Sequence, residues 1–345
     1  MERLRHHEYN SNIESMRGLS ISLVLSFHWF GFPRQGGALG VGLFFCISGY
    51  LITSILIEEY NQVERIDFKK FYTRRIRRLI PLAYLTLMLT LLIFLIVPSK
   101  SETSIDRQWL VSSVFFCVLY IGNLYGFANL GYADLAYPVS HFWSLAVEEQ
   151  FYLAWPLVLL FLLKKARKHI IIYVSAVIFL AVSLHSFFFL INKSVWTLPI
   201  SYLDVLCAGS LLAIIKFEYR YVFGTKLKTL FLFFCVSGLS CIFLTNLNNL
   251  TFFGQGSSLF ALTEVSLFVT LFYSKIGRIR SLEFIGRYSY SLYCIHFPVL
   301  TISEYFWDNS WPQLFLSILL TFILSYLSQK YFESLFWKSR FHIKA

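Results

Sequence analysis

Eleven apolar stretches follow one another along the chain, and each is long enough to be a candidate membrane span. They lie near residues 17–32, 39–57, 79–97, 109–127, 142–163, 170–191, 200–215, 229–245, 257–274, 288–305 and 312–329. Only 14% of the residues are charged, against about 25% in soluble domains, and the mean hydropathy is +0.62. We therefore predict an all-α protein, a polytopic transmembrane helical bundle.

The basic residues predict which stretches cross the bilayer, because cytoplasmic connections are enriched in Lys and Arg. If 109–127 does not cross and the N-terminus is cytoplasmic, only four of the 30 basic residues lie outside: Arg34, Lys100, Arg107 and Lys193. If 109–127 crosses, most of the basic residues move outside. We expect about ten spans with both termini cytoplasmic, and 109–127 as a re-entrant or outer-face segment, which is tolerated where protein covers it.

The charge and the cysteines argue against two other classes of protein. The net charge of +11 falls mostly on the cytoplasmic side, where it sets topology and meets anionic lipid, so no nucleic-acid partner is needed to explain it. The six cysteines lie in apolar stretches and form no Cys-x-x-Cys pair. We expect small buried residues rather than a zinc site or a disulfide framework. The first stretch lacks a signal-peptide cleavage site and is expected to stay in the protein.

The stretch from His141 to Pro156 carries two adjacent carboxylates, Glu148 and Glu149, into an apolar segment. Burying one ionisable group at membrane depth costs about 3 kcal/mol, so such groups usually have a function. At helical spacing His141, Ser144, Glu148 and Tyr152 share one face. The alternative is a capped helix start whose carboxylates lie among the lipid headgroups.

Arg17 and His28 are eleven residues apart in the first span and lie on one helical face. The rise between them is about 16 Å, so we expect Arg17 at the inner boundary and His28 near the midplane. Arg17 alone could be an anchor at the interface. A histidine at midplane is a candidate general base.

Two further segments permit both a structural and a functional interpretation. The first holds a cluster of arginines that the bias of basic residues toward the cytoplasm would explain: Arg74, Arg75, Arg77 and Arg78. However, arginine also binds phosphate bidentately. In the second span, the small residues Gly40, Gly42, Ser48 and Gly49 favour close helix packing. The same lack of side chains could open a slot for a thin ligand.

Other ionisable residues within the apolar stretches are Asp204, Glu264, His185 and His296. The predicted topology places arginines at the inner face, histidines near the middle and carboxylates in the outer half. This arrangement suits a reaction between a cytoplasmic anionic donor and an outer acceptor that bears hydroxyl groups. For His185 and Glu264, which stand in no motif, we favour a structural role.

Five motifs together resemble the acyltransferase-3 family of integral-membrane O-acyltransferases. They are Arg17-x10-His28, the segment 44–53 (FFCISGYLIT), the segment 71–78 (FYTRRIRR) with Pro81, the segment 141–152 (HFWSLAVEEQFY) with Pro156, and the segment 286–298 (GRYSYSLYCIHFP). They cover most of the chain in family order. The chain departs from the family at Tyr202, because many members have arginine two residues before the aspartate that corresponds to Asp204.

The resemblance implies transfer of an acyl group, usually acetyl, from cytoplasmic acetyl-CoA to a hydroxyl of an extracytoplasmic glycan such as O-antigen, capsule or exopolysaccharide. It also implies a multi-pass protein of the bacterial inner membrane that needs no metal. Some relatives carry a fused soluble domain; here we expect a single membrane-embedded acyltransferase domain over residues 1–345.

The motifs and the resemblance together give the predicted site. Catalytic roles fall on His28, Arg17, Glu148 and Glu149, and CoA binding falls on Arg75, Arg78 and Arg74. The predicted substrate-binding residues are His141, Trp143, Ser144, Asp204 and His296. His28 would act as general base in a direct transfer, although a covalent acyl-enzyme fits the sequence equally well.

Two rival functions remain open at this point. A non-enzymatic transporter or flippase of lipid-linked sugars would also use inner arginines and polar residues at midplane. A polysaccharide polymerase or ligase would normally carry a large outer loop with a catalytic arginine, whereas the outer connections here hold four basic residues.

Overall fold

The computed structural model describes residues 11–33, 35–96, 106–127, 134–190, 197–218, 224–248, 258–273, 279–306 and 310–336. Within these ranges the chain forms twelve α-helices of eight residues or more. They are α1 Ser11–Phe30, α2 Gly36–Val63, α3 Phe68–Ile96, α4 Arg107–Val118, α5 Trp143–Lys165, α6 Ile170–Leu190, α7 Leu203–Glu218, α8 Thr225–Asn248, α9 Ser258–Tyr273, α10 Arg280–Arg287, α11 Ser289–Phe306 and α12 Trp311–Leu327. The all-α prediction is confirmed for the described residues.

Among the residues that the structure describes, five helical stretches are long and apolar enough to cross a membrane. They are Gly36–Val63, Phe68–Ile96, Tyr137–Lys165, Arg167–Phe188 and Trp311–Phe336. A helix occupies each of the eleven apolar stretches predicted from the sequence. Helix α3 begins earlier than predicted, at Phe68, so the arginine-rich segment is helical rather than a connection.

Helix α4 is shorter than the apolar stretch that contains it. It has 12 residues, which give a length of about 18 Å, and a separate 3-10 helix follows over Gly122–Phe127. A hydrocarbon core is about 30 Å thick. An α-helix of this length is too short to cross it.

The chain divides into two compact units. The first unit comprises 1–58, 166–196 and 200–289, and the second comprises 59–165, 197–199 and 290–345.

In the first unit, glycines allow two pairs of helices to approach closely. A Cβ atom on Gly49 of α2 would overlap the carbonyl oxygen of Leu206, and one on Gly209 of α7 would overlap that of Cys46. Helices α1 and α10 meet in the same way, since a Cβ atom on Gly286 would overlap the Glu14 carbonyl oxygen. Small residues at helix contacts are typical of membrane proteins, where packing rather than hydrophobic burial drives association.

In the second unit, polar side chains join the helices. Three tyrosine hydroxyls donate to backbone carbonyl oxygens of other helices: Tyr72 to Leu153 (2.9 Å), Tyr84 to Val118 (2.8 Å) and Tyr290 to Leu79. The buried residues of α12 are Gln313, Ser317, Thr321 and Ser325, which recur every fourth residue. Helix α12 therefore turns a small, polar face inward and an apolar face outward.

Five of the six cysteines are buried, namely Cys46, Cys117, Cys207, Cys235 and Cys294, whereas Cys241 is half-buried, and all six are free thiols. The prediction of small buried residues is thus confirmed for five of them.

Candidate functional site

The predicted site residues are distributed over both units. The first unit holds Arg17, His28 and Asp204; the second holds Arg74, Arg75, Arg78, His141, Trp143, Ser144, Glu148, Glu149 and His296. Each group is examined within its own unit.

Arg17 joins the first motif to the last one. Its Nε donates a hydrogen bond to Ser289 Oγ at 3.2 Å, and its Nη1 lies 3.8 Å from Glu14 Oε1. Ser289 belongs to the late block that begins at Gly286, and Gly286 packs against the backbone of Glu14. The glycine of the late block is therefore explained by the close approach of α10 to α1, which brings Ser289 within reach of the guanidinium.

His28 lies in the last turn of α1, two residues before the helix ends at Phe30. The sequence predicts a position near the middle of a span for His28; the helix itself begins at Ser11, before the apolar stretch at 17–32, and ends at Phe30. The half-buried imidazole packs edge-on against Phe27 at a centroid distance of 5.2 Å and hydrogen-bonds the backbone of Val24. The ring is held near the end of the helix, eleven residues beyond Arg17.

The glycines of α2 are covered by packing, so the alternative of an open slot along them is wrong. A Cβ atom on Gly40 would lie 2.5 Å from the carbonyl oxygen of Ser20, and one on Gly42 would overlap the carboxyl group of Glu264. The close-packing interpretation of this motif is confirmed at both glycines, and likewise at Gly49 (above).

Two buried carboxyl groups lie in the first unit. Asp204 is 4% exposed and Glu264 is 2% exposed, and the two are within electrostatic reach of each other. Asp204 opens α7, where one of its oxygens accepts a hydrogen bond from the backbone N–H of Val205 at 2.8 Å. Glu264 fills the space that Gly42 leaves, which agrees with the structural role favoured for it.

In the second unit, Arg75 of α3 packs on α5. Its guanidinium carbon lies 4.8 Å from the centroid of the Tyr152 ring and 5.8 Å from that of Phe71. The hydroxyl of Tyr152 donates to Oε1 of Glu148, as expected for residues four apart on one face of a helix. Glu149 is within electrostatic reach of Arg75. The arginine motif and the carboxylate motif thus form one cluster.

The other two predicted CoA-binding arginines differ in their exposure. Arg74 is exposed to solvent. Arg78 is half-buried and within electrostatic reach of Glu333. Cation–π stacking and partial burial hold Arg75, whereas Arg74 is exposed.

A second buried cluster joins the start of α5 to α11. His141 lies in a 3-10 helix, Tyr137–Phe142, and the half-buried Trp143 begins α5. Tyr293 donates to the carbonyl oxygen of His141 at 2.9 Å, and its hydroxyl also pairs with Ser144 Oγ. The two hydroxyl groups and the His141 carbonyl therefore lock α11 onto this junction.

His296 completes this cluster. It is 0% exposed, and its ring centroid is 5.2 Å from that of His141. Its Nδ1 lies 3.0 Å from the carbonyl oxygen of Leu292 and 2.8 Å from that of Tyr293. A carbonyl oxygen can only accept, so Nδ1 carries the hydrogen and Nε2 is the acceptor in the neutral ring. The structure brings together three predicted substrate-binding residues, His141, Ser144 and His296.

Sequence reasoning assigned no role to Tyr293, although it quoted this residue as part of the late block. It also missed Ser289, the partner of Arg17. For Tyr293 a signal was present, because the spacing Tyr290-x-x-Tyr293 places two phenols nearly on one face of a helix.

The described ranges contain no group of three or more His, Cys, Asp and Glu side chains placed to hold a metal ion.

Several known proteins are similar to this chain over nearly its whole length. A putative peptidoglycan O-acetyltransferase, YrhL of Bacillus subtilis (strain 168), is 29% identical over 355 residues, which cover 95% of this chain and 55% of the relative. O-acetyltransferase OatA of Staphylococcus aureus (strain NCTC 8325 / PS 47) is 29% identical over 357 residues, which cover 97% of this chain and 58% of the relative. A putative O-acetyltransferase of S. aureus (strain MSSA476), SAS0844, is 30% identical over 359 residues, with 96% and 58% covered.

The chain thus spans a little more than half the length of these relatives. No solved structure matches it significantly. Residues 10–329 match the model of the acyltransferase-3 family, described as an acyltransferase domain. This match includes all five motifs, and the chain therefore belongs to the acyltransferase-3 family.

Proposed function

We propose that this chain transfers an acyl group, in the simplest case acetyl, from acyl-CoA on the cytoplasmic side of a membrane to a hydroxyl group of an extracytoplasmic glycan. The observation that carries the proposal is the family match over residues 10–329. The relatives named as O-acetyltransferases support acetyl as the group transferred.

We place the chain in the bacterial cytoplasmic membrane, with ten spans and both termini in the cytoplasm. The placement of all but four of its 30 basic residues on the inner side supports this topology. The short α4 supports the assignment of 109–127 as a segment that does not cross.

The donor would bind through arginine side chains at the cytoplasmic end of α3. CoA carries several phosphate groups, and the exposed guanidinium of Arg74 can bind phosphate bidentately. Arg75 and Arg78 would add positive charge nearby. Arg75 has a second role in this scheme, because its contact with Tyr152 couples the donor site to Glu148.

The acceptor hydroxyl would lose its proton to His28 as its oxygen attacks the thioester carbonyl carbon. The new carbon–oxygen bond then forms, the carbon–sulfur bond breaks, and CoA leaves as a thiolate that takes a proton from solution. Arg17 would hold α1 in place through Ser289. Glu148, Glu149 and the cluster around His141 would bind the sugar, since carboxylates and histidines accept hydrogen bonds from hydroxyl groups.

The acceptor is an extracytoplasmic glycan, for which O-antigen, capsule and exopolysaccharide are candidates. The name of the Bacillus subtilis relative adds peptidoglycan to these. A transporter of lipid-linked sugars needs no acyl donor, and membership of an acyltransferase family disfavours it. The same membership disfavours a polymerase.

A direct test uses inside-out membrane vesicles that contain the native acceptor and receive radiolabelled acetyl-CoA. Vesicles with the wild-type chain should incorporate alkali-labile acetate into glycan, whereas vesicles from a deletion strain should not. Equal incorporation in both would contradict the proposal. A changed amount or chain length of glycan, without a change in acetate, would favour the transporter or the polymerase.

Replacing Arg74 by alanine is expected to raise the KM for acetyl-CoA about tenfold or more with little change in kcat. A charge-assisted hydrogen bond contributes about 1.5–3 kcal/mol, and 1.4 kcal/mol corresponds to a factor of ten. The measurement is the initial rate in the same vesicles as acetyl-CoA is varied. Lys165→Ala, which removes another exposed cation of the second unit, is the matched control and should leave KM unchanged. An equal KM in both variants would remove Arg74 from the donor site.

A further inference from the structure

Helix α4 ends in a Schellman motif in which a tyrosine holds the position that is normally glycine. The N–H of Tyr120 donates to the carbonyl oxygen of Cys117, and that of Ile121 donates to the carbonyl oxygen of Phe116, each at 3.0 Å. Tyr120 has a φ of 54°. This left-handed conformation brings the Cβ atom too close to the following carbonyl oxygen, so it is unfavourable for any residue except glycine. The chain accepts this cost at a position where glycine would avoid it.

The hydroxyl group of Tyr120 is a second unusual feature. Its oxygen is buried and has no hydrogen-bond partner among the residues that the structure describes. Burying a polar group without a partner is unfavourable, because the group loses its hydrogen bonds to water and gains none in the protein. Such groups are rare in native proteins, and a catalytic or binding role is one of the few explanations for them.

The backbone of Tyr120 is held by the residue that follows Glu149. Nε2 of Gln150 donates to the Tyr120 carbonyl oxygen at 2.9 Å and to Oδ1 of Asn123 at 2.8 Å. Nδ2 of Asn123 donates back to Oε1 of Gln150 at 3.2 Å. This reciprocal amide pair fixes the strained turn directly to helix α5.

The Tyr120 phenol shares its surroundings with a carboxyl group. Glu149, Cys294, Tyr84 and Cys117 are within electrostatic reach of it. The buried hydroxyl thus lies in the neighbourhood of a carboxyl group that can accept a hydrogen bond.

Packing alone does not explain this arrangement. The Tyr120 ring stacks on that of Tyr84 with a centroid distance of 6.4 Å, but phenylalanine would stack equally well without burying a hydroxyl group. Sequence analysis did not identify Tyr120, because a left-handed residue at a helix end is expected to be glycine, and the nearest glycine is Gly122.

We propose that Tyr120 is an acceptor-binding residue of the second unit, which donates a hydrogen bond to the sugar hydroxyl that in turn donates to Glu149. A sugar hydroxyl carries one hydrogen and two lone pairs, so it can accept a hydrogen bond from Tyr120 and donate one to Glu149. The ligand class is thus a neutral, hydroxyl-bearing glycan. This inference rests on the function proposed above and adds a residue to its acceptor side.

The variant Tyr120→Phe tests the inference, because it removes only the hydroxyl group. In the vesicle assay, the rate of acetate incorporation should fall about tenfold while the KM for acetyl-CoA stays unchanged. The melting temperature of the purified variant should equal or exceed that of the wild type, since an unpaired buried hydroxyl group is removed. If Tyr120 only supported the fold, the same change would lower the melting temperature and leave the rate per folded molecule unchanged.

Tyr125→Phe is the matched control. Tyr125 is 1% exposed, and its hydroxyl pairs with Ser112 Oγ at 2.8 Å. Its loss should lower the melting temperature by a few degrees and leave the rate per folded molecule unchanged. If Tyr120→Phe keeps the wild-type rate, or melts as early as Tyr125→Phe, the inference is wrong. If the wild-type chain itself incorporates no acetate, the proposed function fails first and the inference falls with it.

Discussion

Replacing His28 by alanine is expected to lower the rate of acyl transfer by about 100- to 10,000-fold, the usual contribution of a general base. The imidazole is half-buried in the last turn of α1, and its neighbours there include Phe27 and the backbone of Val24. The measurement is the rate of acetate incorporation by vesicles that contain equal amounts of folded wild type and variant.

His169→Ala is the control for this prediction. His169 is exposed in the 3-10 helix Arg167–His169, just before α6, and its loss should leave the rate unchanged. A His28→Ala rate within threefold of the wild type would show that another group takes the proton from the acceptor. The buried pair of His141 and His296 would then be the next candidates, because Nε2 of His296 is an acceptor in the neutral ring.

The sequence could predict the helices because their signal is local. Each apolar stretch is a run of consecutive residues, and α2, α5, α6, α9 and α12 begin and end within a few residues of the predicted bounds, apart from a longer C-terminal end in α2. The helical spacing of His141, Ser144, Glu148 and Tyr152 also predicted a shared face. The contact between Tyr152 and Glu148 confirms it for that pair, whereas His141 lies in the 3-10 helix that precedes α5.

Contacts between distant segments were not predictable in the same way. Arg17 and Ser289 are 272 residues apart and meet only because α10 packs on α1. Helix α10 has eight residues, four of them charged or serine, so it leaves no apolar stretch in the sequence. The contact of Arg75 with Tyr152 depends likewise on the packing of α3 against α5, which neither motif encodes alone.

The left-handed conformation of Tyr120 shows a different limit. Helix ends are recognised by glycine or asparagine, which adopt positive φ at low cost. A tyrosine in that place contradicts its local preference, and the compensation comes from Gln150, thirty residues away. Sequence reasoning fails here because the site overrides a local rule, as is expected where function imposes strain.

Replacing Gly209 by alanine is expected to destabilise the first unit by about 1–3 kcal/mol, the range for added atoms in a well-packed core. The Cβ atom would overlap the backbone carbonyl oxygen of Cys46, and a backbone atom cannot move aside as a side chain can. The sign of the change in stability is informative, because in an unhindered helix replacing glycine by alanine would stabilise the protein by about 1 kcal/mol. The measurement is the melting temperature of the purified protein.

Gly224→Ala is the control, because a Cβ atom there would meet no other atom within 4 Å. It should melt at the wild-type temperature, and equal melting of both variants would contradict the close crossing of α2 and α7. The same pair of variants separates packing from ligand binding at Gly209. If Gly209 serves packing alone, the variant loses activity only in proportion to the folded protein lost, and its KM for acetyl-CoA stays that of the wild type. Gly40, Gly42 and Gly49 of α2 are covered by neighbouring atoms, which leads us to expect packing alone. A raised KM for acetyl-CoA in the folded fraction would contradict this, because it would show that the crossing of α2 and α7 lines a path for the donor.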